Sequence, residues 1–125
     1  MNFFLYDSEK TAVDLLSAAM EKQYNSIVMM ADGAVFACDF YPNRRGNHKL
    51  MCERLSCANV QMVPCTRGDL AGKATLWMDE EGALNNAPLN KNASRLFGEQ
   101  VLSGQLYGAV ALIHVDAEKE WDEEL

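Results

Sequence analysis

The chain contains a basic cluster whose side chains suit the binding of an anion or an acidic surface. Arg44, Arg45, His48 and Lys49 fall within six residues. A guanidinium group is planar and donates paired hydrogen bonds that match phosphate and carboxylate groups. The cluster therefore predicts a contact site for such groups, with Arg44, Arg45 and His48 as the contacting residues. A solvated loop is the alternative that this composition leaves open.

A second polar cluster follows Pro88 and combines asparagines with two cations. Lys91 and Arg95 are four residues apart, so on a helix they lie on the same side. They form the second pair of candidate ligand contacts. Asn90 and Asn92 have a structural alternative, since asparagine side chains near a helix start accept hydrogen bonds from the first backbone N–H groups.

The net charge of −7 is concentrated at the C-terminus. Residues 116–125 carry six acids and one lysine, which leaves a net charge of only −2 for the rest of the chain. Trp121 lies among these carboxylates, and tryptophan is a frequent anchor at protein interfaces. We therefore expect Trp121, Asp122, Glu123 and Glu124 to contact a basic partner surface. A solvated terminus that only aids solubility is the alternative.

The four cysteines do not form a zinc motif. Cys38, Cys52, Cys57 and Cys65 are separated by thirteen, four and seven residues, and no pair has the short spacing of a zinc knuckle. We expect ordinary reduced thiols, several of them buried, and neither a metal nor a cofactor. A metal or redox role is the alternative interpretation of these residues.

The sequence contains none of the common catalytic motifs. It has no nucleophile elbow, phosphate-binding loop, zinc-protease helix or dinucleotide fingerprint, and one of its two histidines, His114, belongs to an apolar run. An enzyme is therefore not expected. No window is apolar enough to cross a bilayer, and Asp7 follows the N-terminus too closely for a signal peptide. We expect a cytoplasmic protein without membrane association.

Apolar periodicity and turn residues predict nine elements in the order β-α-β-β-α-β-β-α-β. Val13, Leu16 and Met20 form the stripe of the first helix, which Asp7 or Ser8 is expected to cap. The predicted ranges are residues 2–6, 11–24, 26–31, 34–41, 49–57, 60–65 and 74–79, then a short helix begun by Pro88 and ended by Gly98, and residues 107–115.

Three local signals add detail to this order. Asp32-Gly33 between two apolar runs predicts a hairpin with a type I′ turn. Leu89, Ala93 and Phe97 predict the apolar side of the third helix. The nearly continuous apolar run over residues 107–115 predicts a central strand that is covered on both faces.

These elements predict a single α+β domain over residues 1–115, followed by an acidic tail over residues 116–125. The sheet is expected to be mainly antiparallel, with two to three helices. The first six elements have the βαββαβ order of a ferredoxin-like unit, which we consider for the first part of the domain.

Residues 31–115 also resemble a known family. The resemblance rests on the segments CERLSCANVQMVP and DEEGALNNAPLNKNASRLFGEQVLSGQLYGAVALIH, and above all on the pattern P-L-N-K-x-A that begins at Pro88. The family is domain of unknown function 3846, which occurs in bacteriophages and mobile elements. The resemblance implies such an origin and no particular chemistry. Residues 1–30 and the acidic tail lie outside it.

Together, these observations predict a non-enzymatic accessory protein of a phage or mobile element that binds a host or defence protein. An anti-CRISPR or other anti-defence inhibitor is one instance of this class. Its target is expected to include nucleic-acid-binding complexes, whose basic groove would receive the acidic tail.

The alternative function is a binder of a small anionic ligand, such as a nucleotide signal, held by Arg44, Arg45, Lys91 and Arg95. Direct nucleic-acid binding is not expected, because the tail would repel phosphates. Exposed edge strands of an α+β sheet also favour a homodimer.

Overall fold

The computed structural model describes residues 2–4, 11–38, 49, 51–53, 55–57, 59–79, 81 and 86–114. Within them the chain forms six strands and three helices. The strands are β1 (Asn2–Phe4), β2 (Ser26–Met29), β3 (Val35–Cys38), β4 (Val60–Pro64), β5 (Ala74–Asp79) and β6 (Val110–His114). The helices are α1 (Ala12–Glu21), α2, whose described residues are Lys49, Met51–Glu53 and Leu55, and α3 (Lys91–Phe97). This order confirms the nine predicted elements.

The six strands form one antiparallel sheet in the order β1-β3-β2-β6-β5-β4. The predicted α+β class is therefore confirmed. Strand β6 pairs with β2 on one side and with β5 on the other, and all of its residues except His114 are buried. The prediction of a central strand covered on both faces is thus confirmed.

Helices cover the two faces of the sheet and create two apolar cores. Helices α1 and α3 pack on the first face, where Val110 and Leu112 of β6 belong to the larger core. Helix α2 packs on the second face, where it meets Ala111 and Ile113. Strand β6 supplies both cores because successive side chains of a strand point to opposite faces. Among the described residues, no helix has the length and apolar character that a membrane crossing requires.

The first four elements form a split β-α-β arrangement. Strands β1 and β2 run parallel to each other with β3 between them, antiparallel to both. A complete ferredoxin-like unit would place β4 beside β1. Here β4 pairs with β5 at the opposite edge of the sheet. The ferredoxin-like arrangement therefore ends at β3, because β6 joins the free side of β2 and brings the β4–β5 hairpin with it.

Helix α1 begins with a capping box at Thr11. The hydroxyl of Thr11 accepts a hydrogen bond from the backbone N–H of Asp14 at 3.2 Å, and the Thr11 N–H donates to the Asp14 carboxylate at 3.0 Å. A cap of this kind contributes about 1 kcal/mol to helix stability. The predicted caps Asp7 and Ser8 lie outside the described residues, and the N-cap residue of α1 is instead Thr11.

The predicted hairpin between β2 and β3 forms with a different turn. Met30 accepts a hydrogen bond from the Gly33 N–H at 3.0 Å and donates its own N–H to Ala34 at 2.8 Å. Gly33 has a φ of +98°, whereas Asp32 does not have a positive φ. The loop thus has three residues, a turn followed by a left-handed glycine, instead of the type I′ turn that needs two positive φ values. The Asp32 carboxylate stabilises it by accepting from the Ala34 N–H at 2.9 Å.

Helix α3 starts later than the sequence predicts. Pro88 precedes the helix instead of opening it, and Leu89 forms an isolated bridge with Tyr107. Leu89 is consequently exposed and does not extend the apolar side of the helix. The helix begins after Asn90, whose side chain provides the cap, and ends at Gly98 as predicted.

Candidate functional site

A cleft of about 510 Å³ lies between the β4–β5 end of the sheet and the loop that follows α3. The sheet contributes Gln61 and Val63 from β4 and Met78 and Asp79 from β5. The opposite wall is the loop segment from Gln100 to Tyr107, which we call the cleft loop. Most of the exposed lining is apolar. The cleft is thus suited to apolar contact with a few polar groups at its border.

Gln100 joins the two walls of the cleft. Its side-chain oxygen accepts hydrogen bonds from the N–H groups of Thr66 and Arg67, at 3.0 and 3.1 Å. Its side-chain nitrogen donates to the carbonyl of Arg67 at 2.8 Å. These three bonds tie the start of the cleft loop to the segment after β4. One amide side chain therefore holds the start of the cleft loop close to the end of β4.

Close backbone packing fixes the base of the cleft loop. A Cβ atom at Gly98 would lie 2.5 Å from the carbonyl oxygen of Gly104, a distance that real side chains do not tolerate. Gly104 itself has a φ of +72°, and Gly108 has a φ of +71°. Both values favour glycine. Gly104 and Gly108 thus serve as turn residues of the cleft loop and of the segment that follows it.

Helix α3 holds the far end of the cleft loop. The hydroxyl of Ser94 accepts a hydrogen bond from the Leu106 N–H at 2.8 Å, and the Asn90 N–H donates to the Leu106 carbonyl at 2.8 Å. Leu106 is buried between these contacts. Nearer the tip, the Tyr107 hydroxyl donates to the side-chain oxygen of Gln105 at 2.9 Å. The cleft loop is thus anchored at both ends by specific bonds.

The tip of the cleft loop presents Leu102 to solvent. Leu102 is fully exposed, more so than any of the other exposed large apolar side chains that the structure describes, Met20, Met62 and Leu89. It borders the cleft beside the half-buried Val101. A leucine in this position gains no stability from folding, because its apolar surface stays in water. Its chemistry instead suits contact with an apolar group of another molecule.

The described lining of the cleft contains one charged side chain, Asp79. Among the residues that the structure describes, the lining includes no cation, and the one charge, on Asp79, would repel an anion. Elsewhere in the described part of the chain, no group of three or more His, Cys, Asp or Glu side chains is placed to hold a metal ion.

The structure places two of the predicted contact residues outside this cleft. Lys91 and Arg95 are both exposed on α3, four residues apart, as expected. They do not line the cleft. The other predicted contacts lie outside the described residues: Arg44, Arg45, His48, Trp121, Asp122, Glu123 and Glu124.

Sequence reasoning did not identify Gln100 or Leu102. A single glutamine has no pattern that reveals its distant partners, since Gln100 acts through residues more than thirty positions away. Leu102 carried a weak signal, because it directly precedes Ser103-Gly104, two residues of types that favour turns. Asn90 was assigned to capping or ligand contact, and the capping alternative is confirmed.

Comparison of the chain with family models, curated proteins and solved structures found no match. The resemblance to domain of unknown function 3846 therefore stays a prediction from the residues of the sequence.

Proposed function

We propose that this chain is a non-enzymatic binding protein that docks onto another protein through the cleft and the tip of its loop. The observation that carries the proposal is the fully exposed Leu102 at the border of an apolar cleft. In line with the sequence-based hypothesis, the partner we propose is a host or defence protein bound by a phage or mobile-element accessory protein.

An exposed leucine on a loop that is ordered before binding favours association. Complete burial of a leucine in a complex contributes about 1.5–3 kcal/mol. The loop that presents Leu102 is held at one end by Gln100 and at the other by Ser94. Binding therefore orders little additional backbone, and the entropic cost of association is correspondingly reduced.

The charge of the cleft favours a protein segment over a small anion. Asp79 at the border would repel a phosphate, whereas it would accept a hydrogen bond from a backbone or side-chain donor. The exposed glutamines Gln61 and Gln105 offer both donors and acceptors to a polypeptide. The occupant we propose is thus an apolar segment of the partner, flanked by hydrogen-bonding groups.

A pull-down comparison of two matched variants tests this proposal. Leu102→Gln removes the apolar contact, and Met20→Gln makes a similar change at an exposed position of α1 that does not line the cleft. The tagged wild-type chain and both variants are incubated with a bacterial lysate, and captured proteins are quantified by mass spectrometry. We expect Leu102→Gln to reduce capture of a specific partner about tenfold, and Met20→Gln to leave it unchanged.

Circular dichroism of each variant establishes that the fold is retained before capture is compared. Equal capture by wild type and Leu102→Gln would contradict the proposal, as would an equal loss in both variants. Absorbance at 260 nm of the purified protein tests the anionic-ligand alternative, because a co-purifying nucleotide would point to Lys91 and Arg95 instead of the cleft.

A further inference from the structure

Helix α2 ends in a hydrogen-bond pattern that brings two cysteines together. The Cys57 N–H donates to the carbonyl of Cys52 at 3.0 Å, and the Ser56 N–H donates to the carbonyl of Glu53 at 3.3 Å. Ser56 has a φ of +53°. These features define a Schellman motif, in which the backbone reverses after the helix and the first and last residues of the motif make a side-chain contact. In this chain, both of those residues are cysteines.

The two thiols are in hydrogen-bonding contact with each other. Both side chains are half-buried, whereas Cys38 and Cys65 are buried. Reagents in solution can therefore reach the contacting pair more readily than the other two cysteines. The contact does not depend on chance rotation of a flexible loop, because the backbone bonds of the motif fix the two positions.

We propose that Cys52 and Cys57 form a reversible intramolecular disulfide, which makes the end of α2 a site of oxidative modification by low-molecular-weight disulfides. In the first step, a thiolate of the pair attacks glutathione disulfide, forms a mixed disulfide and releases one glutathione thiolate. In the second step, the other cysteine loses its proton, attacks the protein sulfur of the mixed disulfide and releases the second glutathione. The protein loses two protons and two electrons in total, and glutathione disulfide takes up both to become two glutathione molecules.

The environment of Cys57 sets the conditions for this reaction. Burial raises the pKa of the Cys57 thiol to about 11, with further contributions from the nearby Asp79 carboxylate and from Cys52. The thiolate is the reactive form, so exchange is expected to accelerate with pH. This proposal does not depend on the docking function, since neither cysteine lines the cleft.

Equilibration with glutathione buffers tests the proposal. The folded protein is incubated at pH 8 with defined ratios of glutathione and glutathione disulfide, quenched with acid, alkylated in denaturant and weighed. The four cysteines of the reduced chain all take up the reagent, whereas the oxidised chain should take up two. We expect the exchange equilibrium constant to be at least about tenfold larger for the folded protein than for the chain in urea, because the fold holds the thiols in contact.

Peptide mapping identifies the bonded pair. Trypsin cleaves after Arg54, so a Cys52–Cys57 disulfide would link residues 50–54 to residues 55–67. Because the second peptide also contains Cys65, the mapping is done in the Cys65→Ser variant. Cys52→Ser is the matched variant that should lose the intramolecular disulfide.

Three results would overturn the proposal. The first is alkylation of all four cysteines at every glutathione ratio. The second is a disulfide that includes Cys38 or Cys65. The third is an equilibrium constant that is the same in the folded and the urea-unfolded chain.

Discussion

At the scale of single residues, Asn90 has the most connections of any described polar side chain in the interior. It is completely buried, and its amide group forms three hydrogen bonds. The nitrogen donates to the carbonyls of Met29 and Gly108, at 3.1 and 2.8 Å, and the oxygen accepts from the Ala93 N–H at 3.0 Å. One amide thus joins the end of β2, the segment before β6 and the start of α3. A buried polar group is tolerated in this position because both N–H groups and the oxygen of the amide are hydrogen-bonded.

Replacement of Asn90 by alanine should destabilise the fold strongly. The change removes the amide partner of the buried Met29 carbonyl, of the half-buried Gly108 carbonyl and of one helix N–H, and we expect a loss of about 2–4 kcal/mol in the free energy of unfolding. Urea denaturation followed by circular dichroism measures it. Lys91→Ala, at the adjacent exposed position, is the control and should change stability by less than about 0.5 kcal/mol. Equal stabilities of the two variants would show that the Asn90 bonds are not needed.

The raised pKa of Cys57 predicts a loss of stability at alkaline pH. The thiol has a pKa of about 11 in the folded chain, compared with 9.0 when it is unperturbed. Its contribution to stability is therefore fully present below about pH 9 and is lost as the pH rises toward 11, since the unfolded chain then releases a proton that the folded chain retains. Because the side chain is only half-buried, solvent screens part of this effect, and we expect it to be no more than about 1 kcal/mol.

The loss of stability at alkaline pH is measured by comparing the wild type with a variant that lacks the Cys57 thiol. Unfolding free energies of the wild type and of Cys57→Ser are compared from pH 8 to pH 10.5 under reducing conditions. The wild type should lose more stability than the variant over this range. Parallel curves would exclude a thiol with a raised pKa at this position.

At the scale of elements, the outer strand β4 has few free backbone donors with which to pair a strand of another molecule. The Cys65 N–H donates to the Ala74 carbonyl at 3.1 Å, so the backbone of Cys65 faces β5. Facing directions alternate along an antiparallel strand, and Pro64 consequently faces outward, where its missing N–H costs no bond. The outer side of β4 then has N–H donors only at Val60 and Met62. So short a row of donors argues against β4 as the seam of a homodimer.

The end of α2 offers a stabilising substitution. Ser56 occupies the left-handed position of the Schellman motif, with a φ of +53°. A residue with a Cβ atom is disfavoured there by about 1–2 kcal/mol relative to glycine, which adopts this conformation readily. Part of that gain is offset by the greater freedom of glycine in the unfolded chain.

We therefore expect Ser56→Gly to increase the free energy of unfolding by about 0.5–1 kcal/mol. Thermal and urea denaturation measure the change. Ser103→Gly is a useful comparison, because the Ser103 hydroxyl caps its own turn by accepting from the Gln105 N–H at 3.2 Å, and no gain is expected there. A loss of stability in Ser56→Gly would mean that α2 does not end in the conformation described.

At the scale of the whole molecule, the sequence predicted the order of helices and strands along the chain, but it did not predict the order of the strands in the sheet. The stripe of α1 and the apolar run of β6 are local patterns that burial imposes on the sequence, so both could be recognised. The strand order was not available from such patterns, because it depends on pairings such as Ile27 with Leu112, far apart in the chain. The same limit applies to the cleft. Its lining comes from β4, β5 and the loop after α3, and no local spacing brings these three segments together.

The central position of β6 has a consequence for folding during synthesis on the ribosome. Synthesis proceeds from the N-terminus, so β1, β2 and β3 emerge early and β4 and β5 follow, yet the strand that joins these two groups is translated last of all six. Until β6 emerges, β2 and β5 each lack the strand that pairs with one of their edges, and most of their side chains are apolar. Before β6 emerges, the nascent chain can thus form at most two separate half-sheets, β1-β3-β2 and β5-β4, and their joining waits for the last strand to be synthesised.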